Sequence, residues 1–428
     1  MTEILILALS FLILLAIGVP VAFSIGLSSM FTLIVSMPAM PAVTTLAQQI
    51  ATGLDSFALL AIPFFILSGQ LMNRGGIATR LIDFAKVLVG RLPGGLAYVN
   101  VLACMLFGAI SGSAVAAASA IGGFMIPRME KEGYSRPFSA AVNISSATTG
   151  LIIPPSNILI IYSLASGGAS IAALFIAGYI PGMLIGLALM IVAGILSRKV
   201  KVTADKPSLS EGMLAFWRAL PSLVLLFVVI GGIVAGIFTA TEASAVAVVY
   251  TAGLAFIYKE ISIKDLPGIL LESVNTTAIV MLLVATSVGM SWVLSYENIP
   301  QDITTFMIGI SDNPVIILLI INLILLGIGI FMDITPAVLI FTPIFLPVVT
   351  EIGMDPVHFG IIMVMNLCIG LCTPPVGSVL FVGCSVADVK IQQVLRPLVP
   401  MFLAMLVVLL LTTFIPALST WLPGVFGL

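Results

Sequence analysis

Two proline pairs stand in the middle of long apolar stretches. Residues 150–159 read GLIIPPSNIL and residues 370–379 read GLCTPPVGSV, so the two copies are 220 positions apart. A proline removes a backbone donor and pushes the preceding residue out of the helical conformation. The carbonyl groups before each pair therefore lose their helical partners, which is costly in hydrocarbon. Such oxygens are hard ligands, and the pattern predicts an ion or solute site. The alternative is a kink whose oxygens are satisfied by Ser or Thr hydroxyls.

Two further apolar stretches, 97–127 and 313–353, carry polar and helix-breaking residues at their centres. The centres read GAISGS at residues 108–113 and GIFMDITP at residues 329–336. We interpret both stretches as re-entrant helical hairpins, because interrupted backbone is tolerated at membrane depth where it is buried in protein or lines a cavity. Two ordinary crossings joined by a short turn are the alternative. The offset of 220 also places Ser113 opposite Asp333.

Asp333 is the acidic residue predicted at the tip of the second hairpin. An acidic side chain at membrane depth is costly and indicates a functional role, such as binding a cation. It is equally suited to capping the following helix. Neutral donors and acceptors near the breaks complete the candidate solute site: Ser111, Ser113, Thr335, Ser156, Asn157 and Ser378. No Lys or Arg is predicted at the midplane, so a carboxylate solute would be held by backbone, hydroxyl groups and sodium ions, with help from helix N-termini.

Motifs for several enzyme classes are absent from the sequence. It contains neither a Gly-x-x-x-x-Gly-Lys-Ser/Thr loop nor a Gly-x-Ser-x-Gly or His-Glu-x-x-His motif. The single histidine, His358, follows a predicted external turn, and the four cysteines lie in apolar surroundings. Cys368 and Cys372 share a helix face, but we interpret them as packing residues rather than as a metal or redox pair. The chain is therefore not expected to be an enzyme.

The composition places the chain in a membrane. Of its 428 residues 61% are hydrophobic and 8% are charged, far too little charge for a soluble surface. Apolar runs long enough to cross a bilayer recur throughout. Continuous or proline-broken crossings are predicted at 3–18, 21–38, 46–70, 137–165, 170–197, 217–236, 239–258, 277–297, 357–386 and 397–420. Two amphipathic segments, 75–91 and 261–272, are predicted to lie in the interface as helices.

The basic residues orient this arrangement. If the N-terminus is outside, all 16 Lys and Arg residues fall on one side, and the other side is acidic. Such an asymmetry follows the positive-inside rule and places both chain termini on the outer side of the membrane. One additional crossing would scramble the distribution, so the charges favour both hairpins.

These observations predict an all-α integral membrane protein made of two inverted repeats with broken helices and re-entrant hairpins. The first repeat covers 1–197, with scaffold helices in 1–92 and a transport part in 97–165. A cytoplasmic linker covers 198–216. The second repeat covers 217–428, with scaffold helices in 217–297 and a transport part in 313–386. Matching interruptions in inverted halves indicate the binding site of a secondary transporter.

The sequence resembles the large membrane (M) subunit of tripartite ATP-independent periplasmic (TRAP) transporters of the dicarboxylate and sialic-acid type. The resemblance covers essentially the whole chain. It is carried by GVPVAF at 18–23, IPFFILSG at 62–69, FGAISGS at 107–113, TTG at 148–150 with PPS at 154–156, TEA at 241–243 and TPPVG at 373–377. It implies an elevator-type, sodium-coupled carrier of organic acids in the bacterial inner membrane, with both chain termini in the periplasm. It also implies two partners: a small four-helix membrane (Q) subunit and a periplasmic solute-binding (P) protein, which would dock on the acidic outer face.

The resemblance further implies two sodium sites. One is assigned to Ser111, Ser113, Gly150, Ile153 and Pro155, and the other to Gly329, Gly370, Thr373 and Val376. Three alternatives remain at this point: a stand-alone sodium/dicarboxylate symporter, a passive channel, and a membrane scaffold or enzyme without transport activity. The exact solute stays open, because the binding protein is expected to set selectivity.

Overall fold

The computed structural model describes residues 2–90, 92, 94–198, 209–311 and 313–428. Within these residues the chain forms twenty α-helices and two short 3-10 turns. Eight helices in the described part of the chain are long and apolar enough to cross a membrane. The prediction of an all-helical membrane protein is confirmed.

The helices of the first half are α1 (Thr2–Ala16), α2 (Val21–Ser36), α3 (Ala39–Thr52), α4 (Ala61–Arg74), α5 (Ile77–Val89), α6 (Gly95–Ser111), α7 (Ala114–Lys131), α8 (Arg136–Ala147), α9 (Asn157–Ala165) and α10 (Ile171–Ser197). Those of the second half are α11 (Leu209–Val234), α12 (Ala240–Ile257), α13 (Leu266–Tyr296), α14 (Ile299–Ile310), α15 (Pro314–Phe331), α16 (Ile334–Glu351), α17 (Pro356–Gly370), α18 (Ser378–Ala387), α19 (Ile391–Phe414) and α20 (Ala417–Val425).

Both predicted hairpins are present. The first consists of α6 and α7, which are separated by Gly112 and Ser113, and the second of α15 and α16, which are separated by Met332 and Asp333. Gly112 has a φ of +62°, a conformation that glycine adopts without steric cost. Ser113 then begins α7 by accepting a hydrogen bond from the backbone N–H of Ala116 at 3.2 Å.

Both proline pairs interrupt a helix as predicted. Between α8 and α9 the chain forms a 3-10 turn at Thr149–Leu151 and then passes through the first pair as a turn and bends. Between α17 and α18 the second pair occupies the corresponding gap. The Pro154-Pro155 and Pro374-Pro375 peptide bonds are both cis.

The two halves interlock through reciprocal helix contacts. Helix α4 packs against α12, and α2 packs against α13. The second helix of each hairpin likewise contacts the short helix that follows the other half's proline pair: α7 contacts α18, and α16 contacts α9. Each half therefore completes the packing of the other.

The predicted crossing at 46–70 is wrong. The structure has α3 there, then a turn and a 3-10 segment at Phe57–Leu60, and then α4. The chain bends at Gly53, where a Cβ would lie 2.7 Å from the Cβ of Val288 on α13. Close packing against α13 therefore coincides with the end of α3, a tertiary effect that hydropathy does not report.

The separation of 261–272 from 277–297 is also wrong. These residues contribute to one 31-residue helix, α13, which continues through the polar stretch from Glu272 to Thr277. That stretch contains neither Gly nor Pro, and Glu272 forms an ion pair with Arg74 at the end of α4. The amphipathic element of the second half is instead α14, which the sequence interpretation missed together with α20. The amphipathic helix predicted at 75–91 is confirmed as α5.

The linker predicted over 198–216 is only partly described. Helix α11 begins at Leu209, and residues 199–208 lie outside the described residues. The charged residues Arg91, Lys199, Lys201, Lys206 and Asp312, which contributed to the predicted orientation, lie outside them as well.

Candidate solute and ion site

A cavity of about 300 Å³ lies where the two hairpin tips meet α4, α9 and α13. Its walls therefore come from the hairpins and α9 on one side and from α4 and α13 on the other. The polar residues along it are Gln70, Asn73, Ser111, Ser113, Asn157, Thr276, Asp333 and Thr335. We call it the first cavity.

Five of the predicted site residues line the first cavity: Ser111, Ser113, Asn157, Asp333 and Thr335. They come from three separate segments, so tertiary packing has brought both hairpin tips to one place. Two other predicted solute residues do not line it. The hydroxyl of Ser156 is buried and donates to the carbonyl of Leu151, and the buried hydroxyl oxygen of Ser378 has no hydrogen-bond partner.

Asp333 occupies the position before α16 without capping it. Its side chain makes no capping hydrogen bond to that helix, and it is exposed on the wall of the first cavity. Ser113, at the corresponding place in the first hairpin, does cap its helix. The carboxylate of Asp333 thus makes no capping bond farther into α16, although it interacts with the backbone N–H of Ile334 at the start of that helix. It also faces the first cavity, where it can contact a ligand.

Three polar residues of the first cavity were missed by the sequence interpretation. Gln70 and Asn73 are on α4, and Thr276 is on α13. Gln70 and Asn73 are three residues apart in a mostly apolar helix, which places them on one face. That spacing was the available signal. What it marked was visible only once α4 was placed against the hairpins.

Each hairpin touches a broken helix through a pair of glycines. In the first pair, a Cβ on Gly108 of α6 would lie 2.8 Å from the Cα of Gly150. In the second, a Cβ on Gly370 of α17 would lie 2.5 Å from the Cα of Gly329 on α15. Real Cβ atoms essentially never approach other atoms so closely. The two backbones can meet at each place only because both residues lack a side chain.

These glycine contacts bring together carbonyl oxygens from ends of helices. The last carbonyls of a helix have no helical partner and carry the negative end of its dipole. Among the described residues, the carbonyls of Gly150, Ile153, Gly329 and Thr373 accept no backbone hydrogen bond outside regular helices, whereas that of Gly370 accepts one from the N–H of Thr373 at 2.9 Å. Unpaired carbonyls at converging helix ends fit a small, hard cation such as sodium.

The remaining residues assigned to sodium sites have varied surroundings. The side chain of Ile153 packs on α10, where a Cβ at Gly182 would lie 2.5 Å from it. Pro155 lines a small separate cavity with Phe65 and Ser68. Val376 is 42% exposed. Any contribution that Ile153 and Val376 make to an ion site therefore comes from their backbone carbonyls.

The arrangement is that of a secondary transporter, because broken helices and hairpin tips from two matching halves surround one polar cavity. Comparisons with known proteins agree. Residues 8–418 match the family described as "Tripartite ATP-independent periplasmic transporter, DctM component". The chain belongs to this family and is a TRAP transporter large membrane subunit.

The chain is similar to its relatives over nearly its own whole length. The chain is 57% identical over 419 residues to the uncharacterized protein YgiK of Salmonella typhimurium, covering 98% of this chain and 96% of that one. It is 43% identical over 407 residues to the C4-dicarboxylate TRAP transporter large permease protein DctM of Pseudomonas aeruginosa, covering 95% of each. It is 42% identical over 419 residues to the isethionate TRAP transporter permease protein DctMQ of Oleidesulfovibrio alaskensis, covering 97% of this chain and 65% of that one.

A solved structure shares the fold at low sequence identity. The YdaH transporter of Alcanivorax borkumensis has a TM-score of 0.65 and 12% identity to this chain, covering 91% of this chain and 89% of the other. At that identity the likeness concerns the fold alone.

Proposed function

We propose that the chain carries an organic anion together with sodium ions across the bacterial inner membrane by an elevator movement. The single observation that carries the proposal is the pair of glycine contacts, Gly108 with Gly150 and Gly329 with Gly370. Each joins a hairpin to a broken helix, and both hairpin tips border one solute-sized cavity. Two cation sites and one solute site thereby belong to the same group of helices.

Organic acids are the proposed substrate class. The relatives named for C4-dicarboxylate and isethionate transport both handle small anions. Among the described residues, no Lys or Arg lines the first cavity, and its donors are the amides of Gln70, Asn73 and Asn157 with three serine or threonine hydroxyls besides that of Ser111. The negative charge of the solute, and that of Asp333, is then offset by the accompanying cations. C4-dicarboxylates and sialic acid remain the expected solutes.

The moving part is proposed to consist of the hairpins with the broken helices, residues 97–165 and 313–386. The scaffold is proposed to include 1–92 and 217–297. The first cavity lies on this boundary, because α4 and α13 form its scaffold wall. Solute held by the hairpin tips would thus slide along α4 and α13 when the moving part shifts.

Two protein partners are proposed. The DctMQ relative is longer, and this chain covers 65% of it. We infer that a small four-helix membrane subunit works with this chain, and that a periplasmic binding protein delivers the solute. The acidic face opposite the basic residues is the proposed docking side, and both termini lie on it.

Reconstitution of the complete complex in proteoliposomes tests the proposal. We expect uptake of an organic acid that requires both an inward sodium gradient and the binding protein. Sodium-driven uptake without any need for the binding protein would indicate a stand-alone symporter instead. Currents or fluxes that ignore the sodium gradient would indicate a channel, and either result would overturn the proposed mechanism.

A further inference from the structure

A second cavity, of about 320 Å³, lies farther along the boundary between α13 and the hairpin helices. Residues of α3, α9, α13 and α16 surround it: Gln49, Leu164, Ala165, Gly167, Ser287, Val288, Ser291, Trp292, Ser295, Leu339 and Pro343. The polar groups come mainly from α13, whereas α16 presents apolar side chains to them. The solute site described above does not account for this cavity.

Ser287, in the wall of the second cavity, has a buried hydroxyl group that lacks a hydrogen-bond partner. The residue is 3% exposed and its hydroxyl oxygen has no hydrogen-bond partner. Buried hydroxyl groups are nearly always hydrogen-bonded, so an unpaired one calls for an explanation. Ser291 and Ser295 continue the same face of α13 at intervals of four residues, and the hydroxyl of Ser295 donates to the carbonyl of Ser291 at 3.0 Å.

Three helices run from the first cavity to the second in the same direction. On α13 the lining passes from Thr276 and Val280 to Ser287 and Ser291. On α16 it passes from Thr335 to Leu339 and Pro343, and on α9 from Asn157 and Ile161 to Leu164. Thr276 and Ser287 are eleven residues apart, which corresponds to about 16 Å along a helix. The two cavities therefore lie one after the other along the same three helices.

We propose that the second cavity is the position that the hairpin tips and their solute occupy when the transporter opens to the opposite side of the membrane. Gln49, Ser287 and Ser291 then bind the solute in that state, as Gln70, Asn73 and Thr276 do in the first cavity. This inference rests on the proposed elevator movement and identifies where the solute lies in its second end state. In the predicted orientation the second cavity is on the periplasmic side, where solute arrives.

The scaffold walls of the two cavities carry the same kinds of polar group. The scaffold offers the amides of Gln70 and Asn73 with the hydroxyl of Thr276 to the first cavity, and the amide of Gln49 with three serine hydroxyls to the second. Among the described residues, neither cavity is lined by Lys or Arg. A shift of about eleven residues along α13 would bring Asp333 and Thr335 beside Ser287. The unpaired hydroxyl would then gain a partner, and the apolar Leu339 and Pro343 would leave it.

Cysteine cross-linking tests the position directly. The four native cysteines are buried and free, and would be left in place. In the complete complex in membranes, we expect mercury to cross-link Thr335→Cys with Ser287→Cys. Thr335→Cys with Thr276→Cys is the positive control, because both residues line the first cavity. Thr335→Cys with Leu282→Cys is the negative control, since Leu282 is exposed on another face of α13. Cross-linking of the positive control without the Ser287 pair would overturn the inference.

Transport from the two sides gives an independent measurement. We expect Ser287→Ala and Ser291→Ala each to raise the KM for solute presented from the periplasmic side about fivefold, the usual effect of one lost hydrogen bond. The KM from the cytoplasmic side should not change, and Thr276→Val should show the reverse pattern. A purely structural role would lower the amount of active complex equally for both directions.

The two proposals fail in different ways. If the wild-type complex shows no sodium-driven uptake, the proposed function fails. If that uptake is normal while the serine variants leave the periplasmic KM unchanged, only the proposed solute position in the second cavity is overturned. Ser287→Ala removes a hydroxyl that is unpaired in this structure, so we expect normal folding and a normal amount of complex.

Discussion

Gly370 and Gly329 are in backbone contact, with no space for a methyl group between them. A Cβ on Gly370 would lie 2.5 Å from the Cα of Gly329, and the same relationship joins Gly150 to Gly108 in the other half. At both places a hairpin helix approaches its end beside a helix interrupted by prolines. Ion and solute binding are proposed to depend on these contacts.

Adding one methyl group at either contact should therefore disrupt transport. We expect Gly370→Ala and Gly150→Ala each to reduce sodium-dependent uptake at least tenfold. The added atom meets backbone rather than a flexible side chain, so the hairpin must move away and the carbonyl oxygens with it. Initial uptake rates in proteoliposomes at several sodium concentrations would measure the effect.

Matched controls are available on the same hairpins. A Cβ at Gly327 of α15 or at Gly123 of α7 would have no atom within 4 Å. Alanine has a higher helix propensity than glycine. Gly327→Ala and Gly123→Ala should therefore leave uptake unchanged, and the protein should be as stable as the wild type or slightly more stable. Equal losses in controls and contact variants would show that the glycine contacts are not special.

Asp333 should be required as a charged group. We expect Asp333→Asn to lose most uptake and to weaken the dependence on sodium, because its carboxylate faces the first cavity without capping α16. Glu351→Gln, at the other end of the same helix, is the control. Calorimetric measurements of sodium binding and of solute binding would separate these two steps. A variant that still binds sodium but not solute would assign Asp333 to the solute.

Asn322 and Asn366 form a buried hydrogen bond between α15 and α17. The amide of Asn366 donates to the side-chain oxygen of Asn322 at 2.6 Å, and Asn322 in turn donates to the hydroxyl of Thr413 at 3.3 Å. We expect Asn322→Leu to destabilise the protein by about 1–2 kcal/mol, since a buried polar group loses a partner. Thermal unfolding in detergent would report this as a lower Tm.

The double variant Asn322→Leu with Asn366→Leu gives the check on that pair. Replacing both partners removes the unpaired group that each single change creates, so the combined loss should be smaller than the sum of the single losses. Strict additivity would mean that the two side chains do not stabilise each other.

The orientation in the membrane can be tested with reporter fusions. The ion pairs Arg74–Glu272 and Arg80–Glu260 lie where the basic residues were predicted to gather. We expect green fluorescent protein to fluoresce when fused after Glu260, because that loop should face the cytoplasm. Alkaline phosphatase fused after Leu428 should be active in the periplasm. A fluorescent C-terminal fusion would reverse the proposed orientation.

The sequence determined the features that depend on local chemistry. Proline pairs break helices wherever they stand, and the polar centres at Gly112 and Asp333 end helices that hydropathy alone would have continued. The breaks, both hairpins and the membrane class were therefore predictable. So were Asp333, Thr335, Ser111, Ser113 and Asn157 as cavity residues, because polar side chains beside interrupted apolar helices need a partner.

The tertiary structure decided what depends on residues distant in the chain. The sequence predicted a continuous crossing at 46–70, but α3 ends where Gly53 packs against Val288. It also predicted a break after 272, but α13 is continuous there and Glu272 forms an ion pair with Arg74. Gln70 and Thr276 became cavity residues only when α4 and α13 met the hairpins. Local sequence fixes where a helix can break, but the partner that a helix face will meet is set by close packing between segments hundreds of residues apart.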